Sequence, residues 1–389
     1  MVFALRRIYQ HQLMQVQCVD NDNDFLLLEK EWEELWSNSV MPSYFLRYDW
    51  VRCSWEELRA TNELRVFIVR DGNRPVLIAP WMRSRRTYRK LPLRSLTFIE
   101  HPETQVADMI LAQTGDAQQS VETLMRYLFG KRSSEWDLLF LDKFHSSSKT
   151  LQLFERVRES ARIRTEIRAS HQALVISLAG SWDEYLNHQS VRFRKTLRNV
   201  ANRMARVGTI EVRCYGATAG DEAVRKLFSV SDASWKIAEG VAITSSAVRM
   251  RFFEQLLETA ATAEGLWIWL LEVNGRPVAS ETQIVDGQTI YAIRSDYDER
   301  YADFSPGTYL QMEILKRLFE MRYAEYNFGV GLNPYKTRWT DQHVDLMSCR
   351  LFNDSFYGRL LGSMDRYDFS KLTGLSGLRT INGLFSGKA

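Results

Sequence analysis

Residues 335–339 read Tyr-Lys-Thr-Arg-Trp and follow an apolar run, 325–330, that has the look of a strand. A lysine held at a strand end can stabilise the oxyanion of a tetrahedral intermediate or hold a phosphate. It is worth far more for either task where water is excluded. Lys336 is therefore a candidate for either task, with Tyr335 and Arg338 beside it. The competing reading is a surface lysine and arginine flanking a packed Tyr335 and Trp339. A second constellation is Ser305-Pro306-Gly307-Thr308, between a strand and a helix. Ser305 can cap, Pro306 suits the first helical position and Gly307 lets a ligand approach the backbone. The free amides and dipole of such a helix start suit a pyrophosphate; a plain helix cap explains the same four residues. Glu281, in a strand over 277–285, is placed by alternation to face a cleft. Asp296 and Tyr297 lie just past a strand over 289–294. Each of the three is a candidate proton-transfer group or a solvated strand-end residue.

Basic residues are unevenly spread. Six of them, Arg192, Arg194, Lys195, Arg198, Arg203 and Arg206, fall between Glu184 and Glu211 with no acidic residue among them. A helix over 182–207 would bury Leu186, Phe193, Leu197 and Val200 on one stripe and bring Arg192, Lys195 and Arg206 near one another. That face is a basic lip for phosphates of a donor, a phosphate-bearing acceptor or tRNA, or else a solvated basic face. Between Asp71 and Glu100 a second acid-free stretch includes an arginine-rich loop over 83–94, which could touch an anionic membrane surface or a lipid-linked acceptor. The net charge of +3 is too small to signal nucleic-acid binding by itself.

These residues need a scaffold, and 389 residues predict two domains. A composition of 45% hydrophobic and 25% charged residues argues against extensive disorder. Four isolated cysteines give no CxxC spacing, six histidines give no HxxxH pair, and no apolar stretch approaches a membrane span. The first twenty residues lack a signal-peptide core. A reducing, cytoplasmic setting without a metal is expected. Helices are predicted over 25–37, 49–58, 116–130, 221–239, 246–263 and 308–322. Strands are predicted over 64–70, 75–81, 95–99, 109–111, 136–141, 171–178, 266–273, 277–285, 289–294 and 325–330. The order repeats, and Asp71-Gly72-Asn73-Arg74-Pro75-Val76 is echoed by Asn274-Gly275-Arg276-Pro277-Val278. A duplication with a boundary near residue 170 follows, giving units over 1–170 and 171–353 and a helical tail over 354–389.

Five pieces in order carry a family resemblance: residues 181–186 with 192–198, Ala233-Ser234-Trp235-Lys236, residues 275–279, Ser305-Pro306-Gly307-Thr308, and residues 334–339. Through them the chain resembles the CelD-like, cellulose-biosynthesis-associated acyltransferases of the GNAT superfamily, distant relatives of the Fem aminoacyltransferases. The resemblance implies an α+β fold of tandem GNAT-like domains, twisted sheets flanked by helices. It implies acyl transfer from acyl-CoA to an amine or hydroxyl of a sugar, polysaccharide precursor or related metabolite. Lys336 would contact the reacting carbonyl, with Glu281 or Asp296 as base and Tyr297 as an acid for the departing thiolate. Ser305, Pro306, Gly307, Thr308 and Arg338 would hold the donor, and Trp235, Tyr335, Arg192 and Lys195 the substrate. Aminoacyl-tRNA in place of CoA, or a non-catalytic role beside exopolysaccharide machinery, are the alternatives. Asn327, Leu332 and Asn333 stand where that family often carries acidic residues.

Overall fold

The computed structural model describes residues 14–88, 91–161, 165–216, 220–260 and 265–365. The first half runs β1 (Gln15–Val19), α1 (Asp22–Leu26), α2 (Glu29–Ser37), α3 (Tyr48–Leu58), β2 (Asn62–Asp71), β3 (Arg74–Tyr88), β4 (Leu91–Phe98), β5 (Ile110–Leu111), α4 (Ala117–Phe129), β6 (Leu138–His145), α5 (Lys149–Ala161) and β7 (Thr165–Ser177). The second runs α6 (Trp182–His188), α7 (Val191–Met204), β8 (Ile210–Tyr215), α8 (Asp221–Asp232), α9 (Ala247–Ala260), β9 (Leu266–Val273), β10 (Arg276–Asp286), β11 (Thr289–Tyr297), α10 (Pro306–Met321), β12 (Glu325–Val330), β13 (His343–Phe352) and α11 (Phe356–Asp365). The expected tail beyond residue 365 lies outside the described residues.

Local chemistry sets the hairpins that the repeat announced. Gly72 turns β2 into β3 with φ 61°, and Asn274 and Gly275, with φ 51° and 77°, turn β9 into β10. Asn-Gly is the pair that tolerates two successive left-handed residues. Fully buried Trp32, Trp81 and Trp136 fill the first half, and Trp269 and Trp339 the second. Each such ring removes on the order of 150–250 Å² from water.

All strands join one sheet in the order β1-β2-β3-β4-β6-β13-β7-β12-β11-β10-β9-β8, with β5 on β3. The order is nearly a palindrome. Each half is antiparallel except for one short parallel pair, β4 with β6 and β11 with β12. The final strands are exchanged: β7 of the first half pairs with β12 of the second, while β13 of the second pairs with β6 of the first. Residue 170 lies inside β7, so the chain passes from one half to the other within a strand.

Two local expectations are corrected. The helix over 182–207 is two helices, because Gln189 is extended and the Ser190 Oγ accepts from the Phe193 N–H to start a new one. The arginine-rich loop over 83–94 is instead largely strand, β3 paired with β4. Three of its arginines have internal partners: Arg83 and Arg85 pair with Glu63, and Arg94 with Asp137. Among the described residues no helix is long and apolar enough to cross a membrane.

Candidate active site

The site forms where β11 and β12 part. Their parallel pairing covers only Thr289–Tyr291 against Glu325–Asn327. Beyond it β12 stays with β7 and β11 with β10, which opens a wedge lined by unpaired strand edges. Gly329 sits in the wedge with φ +78°, and a side chain there would meet the Ala292 carbonyl at 3.0 Å. The chain then turns back through Asn333, whose Oδ1 accepts from the Lys336 N–H at 2.9 Å. The 3-10 turn Lys336–Arg338 follows and carries Lys336 into the wedge. Its Nζ donates to the Gly329 and Val330 carbonyls, 3.1 Å each. Desolvation, with Lys236 adding to it, pulls the amine down to about 8, against the opposing pull of Glu103 and Glu281. Lys336 is thus half-buried, anchored by neutral acceptors alone, and still largely protonated at neutral pH.

Glu281 and Asp296 both project from the strands beside the wedge, on opposite faces of the sheet. Glu281 pairs with Ser295 across β10 and β11 and faces α10. It is 3% exposed and accepts from the Gln283 Nε2 at 2.6 Å, the Tyr326 hydroxyl at 2.7 Å and the Ser295 Oγ at 3.1 Å. Burial pushes its carboxyl above the usual range, and the neutral donors only partly offset this. A carboxylate in that state is a competent proton acceptor near neutrality. Asp296 is the opposite case. Lys236 Nζ lies 2.7 Å and Arg294 Nε 2.8 Å from its two oxygens. Despite burial, these cations hold Asp296 down at about 2. A carboxylate held that far down is a weak base, so Asp296 suits an electrostatic role better than proton abstraction.

Tyr297 has its ring against Gly307, 3.7 Å from where a Cβ would stand, and burial raises its phenol. The Tyr335 hydroxyl donates to the Gly307 carbonyl at 3.3 Å, which ties the Lys336 turn to the first turn of α10. Ser305 is left-handed, φ 58°, and does not cap α10 with its side chain. Its carbonyl takes the Thr308 and Tyr309 N–H groups, and Arg203 Nη2 donates to its Oγ at 3.1 Å. Pro306 is buried while Ser305, Gly307 and Thr308 stay partly open. Among the described residues nothing accepts from the Gly307 N–H. The helix start is therefore a cationic corner with a free amide.

Arg203 belongs to α7, whose outer face continues the corner. Thr196, Asn199, Asn202, Arg203 and Arg206 line an open cleft of about 390 Å³. Arg192 and Lys195 lie on the same helical stripe, exposed. No contact brings either of them to Lys336. None of the six basic residues from Arg192 to Arg206 has a carboxylate partner among the described residues, whereas most arginines elsewhere do. Arg338 is exposed on the Lys336 turn, and Trp235, next in sequence to Lys236, is half-buried. Among the described residues no group of three or more His, Cys, Asp or Glu side chains could hold a metal.

Two participants escape a motif reading. Lys236 sits inside the quoted Ala233–Lys236 piece, but only the fold puts its amine on Asp296. Glu103 comes from the other half and reaches Arg294 at 3.3 Å.

Residues 191–337 match the model of the acetyltransferase (GNAT) domain family. The second half of the chain thus carries a GNAT-type acyltransferase domain. No curated protein matches the chain. Three solved structures share the fold, each at a TM-score of 0.52. The C-terminal domain of a putative lysylphosphatidylglycerol synthetase from Agrobacterium fabrum is 12% identical and overlaps 88% of this chain and 96% of that one. FemX is 10% identical over 90% and 99%. A conserved protein of unknown function from Bacteroides thetaiotaomicron is 12% identical over 87% and 100%. At such identities the likeness speaks for the fold, which is the GNAT-like α+β arrangement expected from the sequence.

Proposed function

We propose that the second half transfers an acyl group from an acyl-CoA, used as substrate, to an amine or hydroxyl of a sugar, polysaccharide precursor or related metabolite. The observation that carries the reading is the Lys336 ammonium, held by the Gly329 and Val330 carbonyls inside the β11–β12 wedge. The donor diphosphate rests on the Gly307 amide and the Arg203 corner, and Arg338 flanks it. The thioester lies along the wedge, with its carbonyl oxygen toward Lys336. Glu281 takes the acceptor's proton, directly or through one water. The new C–N or C–O bond forms, the C–S bond breaks, and Tyr297 protonates the leaving thiolate. Lys336 stabilises the oxyanion between those events, and Asp296 fixes Lys236 and Arg294 around it. Four cysteines without a disulfide agree with a reducing cytoplasm, where CoA thioesters are made. Purified protein offered an acyl-CoA and a suitable acceptor is expected to release free thiol, and Lys336→Ala to stop the release while remaining folded. Full turnover in that variant removes Lys336 from the mechanism.

The unpaired basic stripe of α7 favours a second reading, in which the donor is an aminoacyl-tRNA. About 14 residues of helix at ~1.5 Å per residue span some 20 Å, longer than the phosphates of CoA require. Salt-sensitive tRNA binding without CoA binding is the outcome that would select it.

A further inference from the structure

The segment between β4 and β5, residues 99–109, belongs to the first half by sequence but is anchored on both. The His101 ring stacks on Phe252 of α9 at 3.7 Å and 5°, and its Nε2 lies 2.8 Å from Glu57 Oε2. The Trp50 Nε1 donates to the Thr104 Oγ1 at 2.9 Å, and Lys143 Nζ to the Thr104 carbonyl at 2.9 Å. The Glu103 N–H donates to His101 Nδ1 at 3.1 Å, and the Gln105 Nε2 to the Glu103 carbonyl at 2.7 Å. So much internal bonding makes the segment a rigid finger.

Its tip enters the second half's wedge. Gln105 Oε1 accepts from the Val330 N–H at 2.7 Å, a group left without a strand partner when β12 leaves β11. The same oxygen lies 2.7 Å from where a Cβ of Gly329 would stand. The 329–330 backbone is therefore gripped from two sides, by Gln105 through its amide hydrogen and by Lys336 through its carbonyls. The Glu103 carboxylate sits beside Arg294.

We infer that the first half is a working part of the acyl-transfer site, with Gln105 as the positioning residue for the peptide that holds Lys336 and Glu103, through its ion pair with Arg294, as the carboxylate it adds to the site's cationic cluster. The inference rests on Lys336 being the site's cation. The charged groups that act on that amine through space are Glu103 from the finger, Glu281 from β10 and Lys236 from the turn after α8. Of the two carboxylates, Glu103 acts more strongly than Glu281. The first half's own wedge, where β4 and β6 part, cannot do this job. Its Lys143 is buried and already tied to Thr104 and Glu100.

The test uses the full chain and needs no substrate for its decisive arm. The pH dependence of amine labelling at Lys336 is followed by mass spectrometry in wild type, Glu103→Gln and Gln105→Ala, with melting temperature as a check on folding. Removing the Glu103 charge is expected to move the Lys336 midpoint to lower pH, and the alkaline limb of the kcat profile with it. Gln105→Ala is expected to lower kcat roughly ten- to a hundredfold at nearly constant donor KM. A Lys336 midpoint in Glu103→Gln equal to wild type overturns Glu103's role, and an unchanged kcat in Gln105→Ala overturns Gln105's. Because labelling is independent of turnover, a protein that transfers no acyl group but shows the shifted midpoint counts against the proposed reaction and for the finger.

Discussion

Replacing Glu281 by glutamine changes one charge and almost no shape. The carboxylate accepts from Gln283 and Tyr326 on Oε1 and from Ser295 on Oε2. A glutamine that keeps its oxygen toward Gln283 and Tyr326 can donate its NH₂ to the Ser295 hydroxyl, so the network survives. What disappears is a buried negative charge without an ion-pair partner. Burial raises the Glu281 carboxyl, and the sign of the linkage follows. A raised carboxyl contributes stability below its unfolded value, near 4.5, and loses it as pH climbs through the higher folded value. Each unit of that rise costs about 1.4 kcal/mol. The glutamine variant therefore melts at an equal or higher temperature than wild type at pH 7–8, and the advantage shrinks toward pH 4. Catalysis moves the other way. Loss of a positioned base lowers kcat/KM by roughly 10²–10⁴-fold, about 2.7–5.4 kcal/mol of barrier, and removes the acid limb of the pH profile. Thermal denaturation across pH, run beside thiol release, reads both effects. Wild-type kcat/KM in the variant, or a stability difference that does not vary with pH, refutes the reasoning.

Other expectations follow from the same geometry. Asp296→Asn leaves Lys236 and Arg294 buried beside each other without their anion, a loss of about 3–5 kcal/mol measurable by urea denaturation. Because Asp296 is held down at about 2, the stability it contributes in wild type is present above its unfolded value near 3.8 and is lost only as pH falls through about 2. Turnover that depends on a protonated Lys336 declines as pH rises past about 8, a limb that Lys336→Arg should displace to higher pH. Arg203→Ala, which strips the corner at Ser305, is expected to raise the donor KM severalfold with kcat nearly unchanged, by steady-state kinetics. Gly329→Ala forces a side chain into a left-handed position against Gln105 and Ala292, costing on the order of 1–3 kcal/mol by calorimetry.

Much of the scaffold is legible because apolar periodicity and turn chemistry are local. Leu266–Val273 and Glu325–Val330 appear where their apolar runs place them, and the two Gly-containing turns announce their hairpins. β13 is not legible that way. It crosses to the first half with Ser348 and Arg350 buried, polar residues that break the apolar pattern of a central strand. The exchange of β7 and β13 is a long-range choice that no window of sequence encodes. The site divides along the same line. Lys336 and the start of α10 show in residue types and spacing, since caps and cations act locally. The different environments of Glu281 and Asp296 do not, because only the sheet's pleat sends one toward Tyr326 and the other toward Lys236. Glu103 and Gln105 lie more than two hundred residues from Val330, and nothing in their own neighbourhood marks them.

Acyl transfer at Lys336 depends on where the thioester carbonyl sits relative to its amine. A crystal structure with a non-hydrolysable acyl-CoA analogue measures it. With acyl transfer at Lys336, the diphosphate is expected at the Gly307 amide and the carbonyl oxygen at hydrogen-bonding distance, about 2.7–3.1 Å, from Lys336 Nζ. An analogue seated with its carbonyl away from the β11–β12 wedge, and Lys336 still bonded only to Gly329 and Val330, contradicts it.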